Sequence, residues 1–71
     1  MYSQRPTDYP PWVRWIAQDR NGAWWGFEHE PNEGAASWYE NEVGRYQKLS
    51  EEGGNPNWRH TLKRVDEQER F

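Results

Sequence analysis

Glu28, His29 and Glu30 stand together in the sequence, and with His60, the chain's other histidine, they are the residues best suited to hold a metal or move a proton. Alternation along an extended strand sends His29 to one face and both carboxylates to the other, so a metal site would need His60 to be delivered from far along the chain. Covalent catalysis has little to work with: there is no cysteine, and there are only three serines. A chain of 71 residues also seldom encloses a pocket where a nucleophile and a base can be held apart from water. These residues predict no enzyme, no metal and no cofactor. His29 is expected to be a strand-end residue that closes the core beside Val13.

The residue types that favour recognition are more abundant. Tryptophan and arginine dominate binding hot spots, and Trp12, Ile16 and Trp24, with Arg14 and Glu28 between them, fall on one face of an expected hairpin. This face predicts a protein contact. The alternatives are a seam of a homo-oligomer or a surface covered by the N-terminal arm or a C-terminal helix. Trp58 with Arg59, Lys63 and Arg64 offers a second chemistry, one ring for stacking on a base and a cluster of cations for phosphates. Net charge is −3, which argues against a dedicated nucleic-acid binder, since phosphate contacts leave a basic footprint. Helical spacing with Leu62 also assigns Trp58 to a core. Sugar stacking on tryptophan is a remote third reading. No apolar run reaches the length of a membrane span or a signal segment, so a soluble, unexported chain with no membrane partner is expected.

The elements that position these residues must be built from rings. Aliphatic residues are few (Val13, Ile16, Val43, Leu49, Leu62 and Val65), against six Trp, four Tyr and two Phe. A buried tryptophan removes roughly 200 Å² from water, so a few of them can replace a larger aliphatic core. In WVRWIAQ-DRNG-AWWGFEHEP, a strand, a turn and a strand are legible. A two-residue loop at Asn21-Gly22 would scatter the apolar side chains over both faces. A type I turn opened by Asp19, with Gly22 in the left-handed position of a bulge, instead pairs Ala17 with Trp25, Trp15 with Phe27 and Val13 with His29. That register gathers Val13, Trp15, Ala17, Trp25 and Phe27 on one face. The other face pairs Gln18 with Trp24 and Arg14 with Glu28. Trp25 is then expected in the core and Trp24 on the surface.

Residues 37–49 support two readings. Tyr39, Val43 and Tyr46 recur at helical spacing after a Ser37/Glu40 capping box, whereas SWYE, NEVG and RYQKLS read as a second hairpin. Pro56 is placed to start a short helical turn, with Trp58, Leu62 and Val65 along one stripe. The expected architecture is a mainly β, small α+β domain over residues 12–65: an antiparallel meander of three or four strands with a short C-terminal helical turn. Residues 1–11 read as an irregular, proline-rich arm and residues 66–71 as a frayed tail.

Trp15-Ile16-Ala17, Asp19, Asn21-Gly22, Glu28 with Pro31, Gly44 with Tyr46, and Trp58 with Leu62 together resemble a group of very short proteins encoded by bacteriophages and prophages. The resemblance spans roughly residues 12–65 and departs from the shared outline at Glu30 and at the second tryptophan of Trp24-Trp25. It implies an antiparallel meander and tips residues 37–49 toward a hairpin. It implies no catalytic activity. By analogy it points to an accessory protein in the host bacterial cytoplasm that binds a host protein and inhibits or redirects it, anti-defence inhibitors included.

Overall fold

The DRNG turn closes as its residue types demand. The Gly22 N–H donates to the Asp19 carbonyl at 2.9 Å and the Asp19 N–H to the Ala23 carbonyl at 2.8 Å, and Gly22 takes φ of 99°. This is the bulged type I turn, and glycine is needed there twice over. Its φ is left-handed, and a Cβ would lie 2.1 Å from the Glu52 carbonyl oxygen. The turn fixes the register between β1 (Trp15–Gln18) and β2 (Ala23–Phe27): Trp15 pairs with Phe27, Ala17 with Trp25 and Gln18 with Trp24, as expected.

The structure, a computed structural model, describes residues 6–40 and 43–65. The expected frayed tail at 66–71, the first five residues of the expected arm, and Asn41-Glu42 of the NEVG segment lie outside the described residues. After β2 come β3 (Asn32–Glu33), β4 (Trp38–Tyr39), β5 (Tyr46–Glu51), a single 3-10 turn at Trp58–His60 and β6 (Lys63–Arg64). The main sheet is antiparallel and runs β5-β2-β1-β6, while β3 and β4 form a separate two-stranded ribbon. The protein is thus mainly β, with strands pairing antiparallel throughout and almost no helix among the described residues.

Residues 37–49 are neither a helix nor the expected hairpin. SWYE and RYQKLS both supply strands, but Trp38 pairs with Glu33 and Tyr46 with Phe27, so each finds its partner elsewhere. The helical stripe at the C-terminal end is also corrected. The 3-10 turn ends at His60, and Lys63 and Arg64 then extend along the free edge of β1, opposite Ile16 and Trp15. Because this segment is extended, Leu62 joins Trp58 on one side of the sheet and Val65 reaches the other.

Both faces of the hairpin are covered, and this is the main departure from the expected arrangement. On one side Ala17, Phe27, Trp38 and Trp58 are buried, with Trp15, Trp25 and Leu62 packed against them. On the other side lie Val13, Ile16, Trp24 and Val65, flanked by Tyr9, Trp12 and Leu49. Val13 is on this second side, not beside Trp15 as expected. Gly26 makes room for it, since a Cβ there would lie 2.8 Å from a Val13 methyl. The register between β2 and β5 also shifts between Trp24 and Trp25, a bulge that brings Leu49 over the same side. Arm residues and the C-terminal end thus close the face that the hairpin alone leaves open.

Candidate functional site

Two side chains of the turn region organise what surrounds it. Gln18 is fully buried; its amide nitrogen donates to the Gly22 carbonyl at 3.0 Å and its amide oxygen accepts from Asn55 at 2.8 Å. Its backbone N–H donates to the Thr61 hydroxyl at 2.8 Å. Asp19, on the other face, accepts from the Trp38 backbone N–H at 2.8 Å and from the Trp25 side chain. Burial pushes the Asp19 carboxyl above its ordinary range, and those two hydrogen bonds oppose the shift only in part. The Trp38 indole N–H donates to the Gln18 carbonyl at 3.0 Å, so the turn anchors β4 over the Ala17/Phe27 side.

With β4 anchored, an aromatic cleft of 270 Å³ opens beside it, lined by Asp19, Trp25, Phe27, Ser37, Trp38, Tyr39, Glu40 and Tyr46. Tyr39 and Tyr46 are each 54% exposed, and Trp25 is half-buried with its ring centroid 5.8 Å from that of Tyr46. Glu40 places one carboxylate oxygen in a buried position without a hydrogen-bond partner among the described residues. Among the described residues no lysine or arginine lines the cleft. It is the part of the described surface where large rings, open area and acid meet.

The expected contact face is placed differently. Ile16 and Trp24 are 1% and 3% exposed, so neither meets a partner while the fold is intact. Trp12 is half-buried beneath the Arg45 guanidinium, which lies 4.9 Å from its ring. Glu28 pairs with Arg45, at 3.1 Å and 3.2 Å through both carboxylate oxygens, and not with Arg14, which is exposed. That pairing holds the Glu28 carboxyl down to about 2, chiefly through the hydrogen bonds from the Arg45 side chain and backbone. The doublet is therefore reversed: Trp24 is the packed ring and Trp25 the one that borders the surface.

The expected nucleic-acid group is dispersed as well. Trp58 is 2% exposed and meets Trp38 edge-on at 5.9 Å, which leaves no face for a base. Arg59 lies 4.5 Å over the Trp58 ring and is ion-paired with Glu33 at 2.8 Å, and Arg64 lies 5.5 Å over Trp15. Lys63 is exposed, and it borders a more polar hollow of 390 Å³ with Gln18, Trp24, Asn55, His60, Thr61 and Leu62. His29 is exposed and does not close the core. Among the described residues no three His, Asp or Glu side chains converge on a possible metal position.

Tyr39, Glu40 and Tyr46 were not among the expected contacts. A weak signal for them exists: if SWYE is a strand, Trp38 pointing inward sends Tyr39 outward. That Tyr46 joins Tyr39 across the cleft depends on β5 pairing with β2, which no local pattern announces. No helix among the described residues is long and apolar enough to cross a membrane. The chain matches no family model, no curated protein and no solved structure.

Proposed function

We propose that this protein is a non-enzymatic accessory protein of the phage or prophage kind, which binds a host bacterial protein in the cytoplasm and inhibits or redirects it. The class of function rests on the resemblance of residues 12–65 and on the poverty of catalytic groups. The single observation that carries the contact is the cleft where Trp25, Tyr39 and Tyr46 leave ring area open, the two tyrosines being the large rings exposed among the described residues. Rigid amphipathic rings provide contact area at low entropic cost, which suits a small module that must hold a larger partner.

The test is affinity capture from a bacterial host lysate with the intact chain and with a Tyr39→Ser/Tyr46→Ser double variant. Both tyrosines are more than half exposed, so this variant keeps its fold while losing the contact. Recovery of the same partners by both proteins sinks the assignment of this surface. Capture of nucleic acid instead, with an affinity that falls steeply as salt rises, would favour the basic residues near the C-terminal end.

A further inference from the structure

Three of the six tryptophans carry an arginine of the same chain on the ring: Arg45 over Trp12, Arg59 over Trp58 and Arg64 over Trp15. Trp24 and Trp38 are buried, at 3% and 8% exposure. Trp25 is the remaining ring. It is half-buried at the rim of the aromatic cleft, and among the described residues no cation lies over it. The cleft is chemically prepared for one. Its walls include the rings of Trp25, Tyr39 and Tyr46, its lining includes Glu40 and Asp19, and among the described residues no basic side chain lines it. Glu40 brings a buried carboxylate oxygen that has no donor among the described residues. Glu40 lines the cleft, and a carboxylate at such a wall favours an incoming charged donor through a charge-assisted hydrogen bond.

We infer that the cleft between Trp25, Tyr39, Tyr46 and Glu40 is a seat for an arginine side chain presented by the protein partner. The inference rests on the reading of this cleft as the protein contact and adds the chemistry it selects. Guanidinium fits better than ammonium: it is flat, so it stacks on an indole face, and its edge donates in-plane hydrogen bonds to a carboxylate. The volume of 270 Å³ lies just below the roughly 300–1,000 Å³ of small-molecule pockets, which suits one long side chain better than a metabolite. The chain's net charge of −3 draws a basic segment in the same direction.

The test uses the full, isotopically labelled chain titrated with the capped peptide Gly-Arg-Gly and with its citrulline counterpart, which has the same shape without the charge. The arginine peptide should shift the Trp25 indole and the Tyr39 and Tyr46 ring signals saturably. The citrulline peptide should bind about tenfold more weakly, and Glu40→Gln should weaken the arginine peptide about fivefold. Arg14→Gln, outside the cleft, should change neither. Equal binding of the two peptides, indifference to Glu40→Gln, shifts that map to another face, or no saturable shift would each overturn the inference. The outcomes separate it from the reading it rests on. Partner capture that is lost in Tyr39→Ser/Tyr46→Ser while arginine is not preferred removes the arginine seat alone. Arginine preference with capture unaffected by that variant removes the cleft as the protein contact.

Discussion

The adjacent tryptophans divide the work of this protein, and substitutions should show which does which. Trp24 is surrounded by Val13, Ile16 and Val65, so Trp24→Ala should cost about 3–5 kcal/mol, a large share of what a small domain has. Its indole nitrogen is buried without a hydrogen-bond partner among the described residues, so Trp24→Phe removes that donor along with some packing. Trp24→Phe should therefore lose far less than Trp24→Ala. Trp25→Ala should fall below Trp24→Ala in cost, because Trp25 already borders solvent. Chemical denaturation of the three variants checks the order. Glu28 gives a residue-scale prediction in pH. Its folded carboxyl is held at about 2 against an ordinary 4.5, so its contribution is fully present above pH 4.5 and is lost as pH falls toward 2. Wild type should melt above Glu28→Gln at neutral pH, and the gap should close across that window. Asp19 has the opposite sign: its raised carboxyl favours the fold most below its ordinary 3.8 and loses that contribution as pH rises through the folded value. Glu28→Gln should therefore leave a melting profile whose acid side is flatter than that of wild type.

At the scale of elements, the turn and its two partners decide the architecture. Gln18→Ala would leave the Asn55 amide nitrogen without its acceptor in a buried place and take from the Gly22 carbonyl one of its two donors, the other being the Glu52 N–H, at a cost of about 2–4 kcal/mol, measurable by thermal or urea unfolding. Gly22→Ala should be at least as harmful, since it places a methyl group against the Glu52 and Gly53 carbonyls in a backbone conformation that alanine avoids. The register of β1 and β2 was legible because it rests on local chemistry. Asp19 and Gly22 suit one turn, and alternating apolar residues penalise a one-residue slip. Which face is buried was not legible in the same way. Alternation says that Trp24 and Trp25 part company, but residues 9–12 and Val65 decide which one is covered, and their approach is written in no nearby pattern. The same limit applies at 37–49, where strand-forming segments were visible and their partners were not. It applies again at Trp58, Leu62 and Val65, whose spacing matches a helix yet whose chain runs extended along an unoccupied edge of β1. The aromatic cleft, formed by residues from β2, β4 and β5, inherits this non-local character.

The described residues form one four-stranded sheet with rings on either side and the β3-β4 ribbon against one of them, 17 Å through the thinnest direction. So thin a body cannot hide six indoles by depth, and three of them, Trp12, Trp15 and Trp58, carry an arginine on the ring. Two of the three cations that look like a nucleic-acid patch in the sequence, Arg59 and Arg64, thereby lie on the protein's own rings. The arm completes the other side, and Tyr9→Ser/Trp12→Ser should uncover Ile16, Trp24 and Leu49. That double variant should bind a hydrophobic dye that wild type ignores and should lose about 2–4 kcal/mol of stability. The network around Gln18 has a kinetic side. Its partners Asn55 and Thr61 lie 37 and 43 residues along the chain, so the hairpin cannot satisfy the Gln18 amide oxygen and backbone N–H until the chain through Thr61 exists. Long loops must close before any of these bonds forms, which places the protein among slow folders for its size. On the ribosome, the DRNG hairpin would wait as a loose nucleus, and commitment to the native state would come only once the Asn55–Thr61 segment has left the exit tunnel.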